Sequence, residues 1–220
     1  LKTAEGKHFK VDLLVQQAVE YVKSQGAEVI ELDSVVTEIA SSNADNVFAY
    51  EFKDGLEKYL ALLGADAPVT TLAEVIDATK ADPVEMQFFN VDTLEKAQSK
   101  GDINTQEYKD AVKNMLLAFR ANGVDKVMDE HDLDAIISPS GGPAWKTDHI
   151  NGDNFVFSTS VNAALSGYPS ITVPMGFVGA VPVGLSFTGR AWSEPILLEI
   201  AYAYEQGTKH RRSPEFLVTD

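Results

Sequence analysis

Apolar residues at Val11, Leu14, Val15, Ala18, Val19 and Val22 return at intervals of three and four. That spacing puts side chains on one face of an α-helix. Gly26 follows where a helix commonly ends in left-handed backbone. Residues 27–32 (AEVIEL) then predict a short strand, and helix, glycine, strand is the rhythm of an α/β layer. From residue 35 to about 132 the strand period disappears. Residues 41–63 predict a long helix stopped by Gly64 and Pro68. Thr70 and Thr71 with Glu74 have the pattern of a capping box, opening a helix to about Lys80 that breaks at Asp82-Pro83. A further helix is predicted over about 105–131, with Tyr108, Val112, Met115, Phe119, Val124 and Val127 on one side. Gly123 is its weak point, where a kink is expected.

Residues 133–138 (LDAIIS) predict a buried strand ending at Pro139. The loop over 140–157 is rich in Gly, Asn and Asp, yet carries Trp145, Phe155 and Phe157. Long loops with large aromatics are functional or packed over something. Beyond Gly167-Tyr168-Pro169 the pattern is strand (170–177), turn at Gly179 and Pro182, strand (183–189), and a helix opened by Ser193-Glu194-Pro195. That last helix carries the aromatic pair Tyr202 and Tyr204; Tyr204 follows Ile196, Leu197, Ile200 and Ala201 on the buried face, and core packing is expected. Strands spread along the chain and separated by helices predict one layered α/β domain. Its helical layer occupies about 35–132, and the sheet-forming segment with the C-terminal helix occupies 133–220.

Composition narrows the function classes. The chain has 220 residues, 45% hydrophobic and 23% charged, the mix of a soluble globular protein. No apolar run is long enough to span a bilayer, and residues 1–10 (LKTAEGKHFK) lack the apolar segment of a signal peptide. The chain opens on Leu1, which suggests a piece cut from something longer. A net charge of −15 opposes nucleic-acid binding. The basic cluster Lys209-His210-Arg211-Arg212 suits a helix C-terminus, where cations meet the dipole. The absence of cysteine excludes disulfides, thiolate nucleophiles and Cys-ligated zinc, and fits a cytoplasmic location.

Candidate chemistry is sparse. There is no G-x-S-x-G elbow and no H-E-x-x-H, and no two histidines share a helical face at metal spacing. Of His8, His131, His149 and His210, only His149 lies in the aromatic loop, near Asp148 and Asp153; a polar loop residue is the plainer reading. Asn151-Gly152-Asp153-Asn154 lacks a full calcium ligand ladder and reads as a tight turn. Ser140-Gly141-Gly142 places small residues and backbone amides just after a strand. That is either a close approach to a ligand or a structural turn. The preceding strand end and Trp145 favour the ligand.

The segments AEVIEL (27–32), DAIISPSGGPAW (134–145), GYPSITVPMGF (167–177) and PVGLSFTGRAWSEPILLEIAYAYEQ (182–206), with the basic tail, follow one another in order. On these residues the chain resembles the amidase signature family from about Val11 to its end. The loop with Gly141-Gly142-Pro143-Ala144-Trp145 and Asn151-Gly152-Asp153 looks most like bacterial amidases related to peptide amidase. It looks less like the glutamine-dependent amidotransferases of the same family. The resemblance implies an α/β/α sandwich around one mixed sheet, of which this chain is the C-terminal part. It implies hydrolysis of a carboxylic or peptide amide by a serine nucleophile, with a second serine on a cis peptide relaying the proton to a lysine. Backbone amides stabilise the oxyanion, and no cofactor or metal takes part. Those three residues belong to an N-terminal half. Ser138-Pro139-Ser140-Gly141-Gly142 has the wrong order for them and lacks adjacent serines, so no catalytic residue is assigned here.

What the resemblance leaves to this chain is one wall of a small-molecule amide site. Trp145 and Phe155 would supply apolar contact, Asp153 a polar handle, and Gly141 and Gly142 close approach; the alternative is that the aromatics merely pack the loop down. The partner implied is the missing N-terminal half. An incomplete sheet is expected to leave an edge or apolar face open, with self-association or rearrangement as the result. A protein like the transamidating member of the family, and a non-catalytic binding or scaffold domain, are the competing readings.

Overall fold

The computed structural model describes residues 8–36, 41–64 and 66–216, and most of the polar opening segment lies outside them. Two compact units form, one from residues 1–37 and 119–220, the other from 38–118. No helix among the described residues is long and apolar enough to cross a membrane.

The sheet unit opens with α1 (Phe9–Ser24), which buries Val11 and Ala18. The helix ends through Gln25, and Gly26 adopts φ +95°, the left-handed turn its position predicts. Residues 27–32, expected as a strand, form no ladder among the described residues. Alternation marks a segment fit to pair; it does not supply the neighbouring strand. The sheet itself takes β1 (Ile136–Pro139), β2 (Ser170–Val178) and β3 (Val181–Thr188) in the order β1-β3-β2. Both pairings are antiparallel, so among the described residues the mixed character expected of the sheet is not seen.

The β2–β3 hairpin turns at Gly179-Ala180, tighter than the sequence suggested. Pro182 lies within β3 opposite Phe177. It is tolerated there because β1 pairs only with Leu185–Thr188, leaving the strand's start free of a second neighbour. A bulge between Pro174 and Gly176 brings Gly176 against α1, where a Cβ would stand 2.8 Å from Leu14.

The period of two divides the sheet into unlike faces. Val173, Met175, Val183, Leu185 and Phe187 pack with Val11, Ala18, Leu197, Ala201 and Tyr204 into one core. The last three residues come from α9 (Glu194–Thr208), which has proline in its first turn. Tyr204 is buried as expected, edge-on to Tyr21 at 5.6 Å and to Phe187 at 6.0 Å. Burial, then Tyr21, pushes its hydroxyl pKa up to about 12. Ile196, placed on the same face in the sequence reading, is instead exposed, because the buried stripe runs Leu197, Ala201, Tyr204.

Helix α8 (Val161–Ser166), which the sequence pattern did not show, precedes β2. Arg120 ties its end down by donating from Nε to the Ser166 carbonyl at 2.6 Å and lying 5.3 Å over the Tyr168 ring. The Tyr168 hydroxyl donates to Asp125 at 2.8 Å. The helix expected over 105–131 is α6 (Gln106–Leu116), a π-helical stretch Leu117–Val124, and α7 (Asp125–His131). The break falls at Gly123, with φ −119° and ψ −107°.

The helical unit holds α2 (Ser41–Ala61), α3 (Leu72–Ala81), α4 (Glu85–Phe88), α5 (Asp92–Gln98) and α6. Ala49, Leu72, Ile76, Val91 and Ala97 form its core. Lys53 caps the end of α5, donating to the carbonyls of Gln98 and Lys100 at 3.2 and 2.9 Å. The capping box of α3 is present in both directions. Glu74 N–H donates to Thr71 Oγ1 at 3.2 Å, and Glu74 Oε2 accepts from Thr71 N–H at 3.2 Å and Thr70 N–H at 2.6 Å. The Thr70 backbone donor is the main reason the Glu74 carboxyl lies below its usual pKa. Thr71→Ala is expected to lower stability by about 1 kcal/mol, measured as a shift of the urea midpoint at constant slope.

Candidate functional site

The second face of the sheet is lined with hydroxyls. Because Thr172 stands opposite Ser186, and Ser186 opposite Ser138, one rung crosses all three strands with hydroxyl side chains. Thr188 and Ser170 form the next rung, joined at 3.1 Å. Ser140, just past β1, joins the cluster: its Oγ is 2.7 Å from Ser186 Oγ and 3.4 Å from Thr172 Oγ1, and Thr172 and Ser186 are 2.8 Å apart. Gly184 sits beside them. A Cβ there would come within 2.6 Å of both Ser140 Oγ and Thr172 Cγ2, so no side chain fits without moving one of them. This cluster is not among the residues expected from sequence. Its trace was there in Ser170 with Thr172 and Ser186 with Thr188, hydroxyls at alternate positions of two predicted strands.

These hydroxyls bond to one another and to the backbone. A serine becomes a nucleophile through an adjacent base or a lowered pKa, and no hydrogen bond within the cluster involves an imidazole, amine or carboxylate. The arrangement is suited to holding structure or presenting polar surface.

The loop that leaves β1 closes on itself at its root. Gly141 and Ser158 form an antiparallel bridge, Gly142 N–H donates to the Phe157 carbonyl at 3.2 Å, and Ser140 N–H donates to Gly184 O at 2.8 Å. The amides of Ser140 and Gly142 are therefore engaged within the fold, which corrects the expectation of free donors over 140–142. Gly141 and Gly142 remain where close approach matters: a Cβ on Gly141 would meet the Phe157 carbonyl at 3.2 Å. Phe157 points into the core and pins the returning strand.

Beyond the root, the loop brings together the three side chains singled out from sequence. Trp145 donates its indole N–H to Asp153 Oδ1 at 3.0 Å, and its ring meets Phe155 edge-on at 6.1 Å. Trp145 is 40% and Phe155 62% exposed, so part of each aromatic side chain faces solvent. Asp148 organises the tip by accepting from the backbone N–H of Ile150 and Asn151, each at 2.9 Å, and from the Asn151 amide. Those donors, the Asn151 side chain first, hold its carboxyl below the usual range. Gly152 closes the turn at φ +81°, its N–H donating to the Asp148 carbonyl at 3.0 Å, so the turn spans 148–152 and not the expected 151–154. His149 lies exposed on this turn.

The chain has relatives among known proteins. The family profile described as Amidase matches residues 3–198. A probable amidase of Arabidopsis thaliana is 35% identical over 170 residues, covering 76% of this chain and 30% of that protein. The A-type subunit of a glutamyl-tRNA(Gln) amidotransferase from a Synechococcus strain is 26% identical over 213 residues, 91% of this chain and 40% of that protein. Among solved structures, native peptide amidase from Stenotrophomonas maltophilia superposes with a TM-score of 0.85 at 34% identity, over 96% of this chain and 42% of that one. Peptide amidase in complex with the competitive inhibitor chymostatin gives 0.89 at 35%, over 97% and 44%. The chain thus spans 30–44% of the length of these relatives.

Proposed function

This chain belongs to the amidase family, and on that premise we propose that it is the C-terminal part of an enzyme that hydrolyses a carboxylic or peptide amide to acid and ammonia. The serine nucleophile, the relay serine and the lysine come from residues outside this chain, in a missing N-terminal half that is its partner across the shared sheet. The observation that carries this reading is the pairing of a hydroxyl face without a base and an aromatic loop held open above its root. The first cannot start acyl transfer by itself, and the second can wall a pocket.

In this role Trp145 and Phe155 present apolar surface to the acyl or leaving-group portion of the substrate, while Gly141 and Gly142 serve the loop by letting its two arms approach at the root. Asp153 orients the indole through its N–H. These are binding and orienting tasks, which favour one substrate over another without breaking a bond. The amidotransferase reading has the Synechococcus likeness behind it. The peptide amidase structures align at higher identity over as much of the chain, which favours hydrolysis.

A fluorophosphonate probe applied to the purified chain tests the assignment. No serine is expected to be labelled and no amide turned over. The reading frame ahead of Leu1 is expected to encode a Gly/Ser-rich segment with paired serines, and a lysine earlier still. Labelling of any serine within 1–220, or amide hydrolysis by this chain alone, would overturn the proposal.

A further inference from the structure

We propose that Thr159 and the Ser140–Thr172–Ser186 cluster are positioning residues that clamp the root of the 140–158 loop in one register and thereby fix where Trp145 stands; its consequence for substrate choice rests on the reading of that loop as a pocket wall. The need for a clamp follows from how few contacts set the register besides the burial of Phe157. The backbone pairing at the root is an isolated bridge between Gly141 and Ser158, with glycine on one side. Pairing this short, with glycine on one arm, specifies register weakly, and a slip of one residue turns every side chain to the opposite face. Trp145 and Phe155 meet only if the two arms of the loop keep step.

Hydroxyls supply the missing specification from both arms. Thr159 Oγ1 lies 2.6 Å from the Pro139 carbonyl, to which it donates, and 3.1 Å from Ser138 Oγ. A hydroxyl has one proton. With that proton given to Pro139, Ser138 must be the donor to Thr159, and the chain Ser138 to Thr159 to Pro139 has a single polarity. The Thr159 backbone N–H also donates to Ser140 O at 3.3 Å. The returning arm is therefore bound to the end of β1 by side chain and main chain at once. The outgoing arm is bound through Ser140, whose Oγ reaches Ser186 on β3 and Thr172 on β2. Ser186 is buried, and the missing Cβ of Gly184 makes the space in which Ser140 lies.

Amide hydrogen exchange and tryptophan emission of this chain test the clamp. Thr159→Val keeps the shape and removes the hydroxyl; Thr159→Ser keeps it. Loss of one hydrogen bond of ordinary strength is expected to lower exchange protection at Gly142 and Thr159 about fivefold in Thr159→Val, while Leu185 and Phe187 in the core keep theirs and Thr159→Ser restores the parent pattern. The chain has two tryptophans, so with Trp192→Phe the emission belongs to Trp145, and it should shift to the red in Thr159→Val and in Ser186→Ala. Unchanged emission and root protection in both variants would overturn the clamp. So would parent protein in which Gly142 and Thr159 exchange as fast as the loop tip, a measurement that needs no variant to fold. In the protein that also carries the catalytic residues, a loosened Trp145 should change the KM ratio between amides with bulky and small acyl groups. A loosened Trp145 with unmoved ratios keeps the clamp and removes the pocket-wall reading instead.

Discussion

Phe187→Ala is expected to destabilise the sheet unit by about 3–5 kcal/mol, the range for truncating a fully buried aromatic. Phe187 lies on β3, the central strand, opposite Ile137 on one side and Ile171 on the other. Its side chain is fully buried and meets the ring of Tyr204 edge-on, a contact that adds to the area term. A domain of ordinary stability, about 5–15 kcal/mol, would lose a large part of it. The measurement is a urea titration followed by far-UV circular dichroism. Leu198→Ala on α9 serves as the control. Leu198 is exposed, and its loss is expected to stay within about 0.5 kcal/mol. A Phe187→Ala cost below about 1 kcal/mol would mean that the core is not closed around this strand as described.

Trp145→Ala has the largest effect expected on function. In the protein that contains both this chain and the catalytic residues, the substitution should raise KM about 10- to 100-fold for amides with large acyl groups, the loss of one aromatic anchor. It should leave kcat closer to its parent value, because uniform binding is removed rather than transition-state contacts. Fluorophosphonate labelling of the reactive serine should be unaffected. Asp153→Asn separates geometry from charge: its side-chain carbonyl can still accept from the indole, so retained kinetics would assign Asp153 to orientation, and a selective loss for cationic substrates would assign it to recognition. Parent kinetics for Trp145→Ala across several amides would remove the loop from the substrate site.

Much of the fold was legible along the chain, and the reasons are local. The helix over 9–24 announces itself by its apolar interval and by a glycine that alone adopts φ +95° without strain. The capping box at Thr71 and Glu74 needs residues only three apart. The β2–β3 hairpin needs two alternating runs and a glycine, although Pro182 fell inside the strand because only the pairing reveals which positions lack a second neighbour. Short helices such as Asp92–Gln98 and Val161–Ser166 were not legible, since so few residues show no full period. The strand expected over 27–32 failed for the opposite reason: its pattern was adequate and its neighbour absent among the described residues.

By itself the sequence determined the longer helices, the hairpin, the burial of Tyr204, and the likeness to amidases, because each depends on the order and spacing of neighbouring residues. The tertiary structure decided the rest. Ser140 meets Ser186 across 46 positions and Ser138 meets Thr159 across 21, distances over which no periodicity operates. Those contacts follow from strand order and register, which are set by how apolar faces pack. The loop carrying Trp145, Asp153 and Phe155 takes its position from that packing, through a root of hydrogen bonds that no local pattern could have revealed.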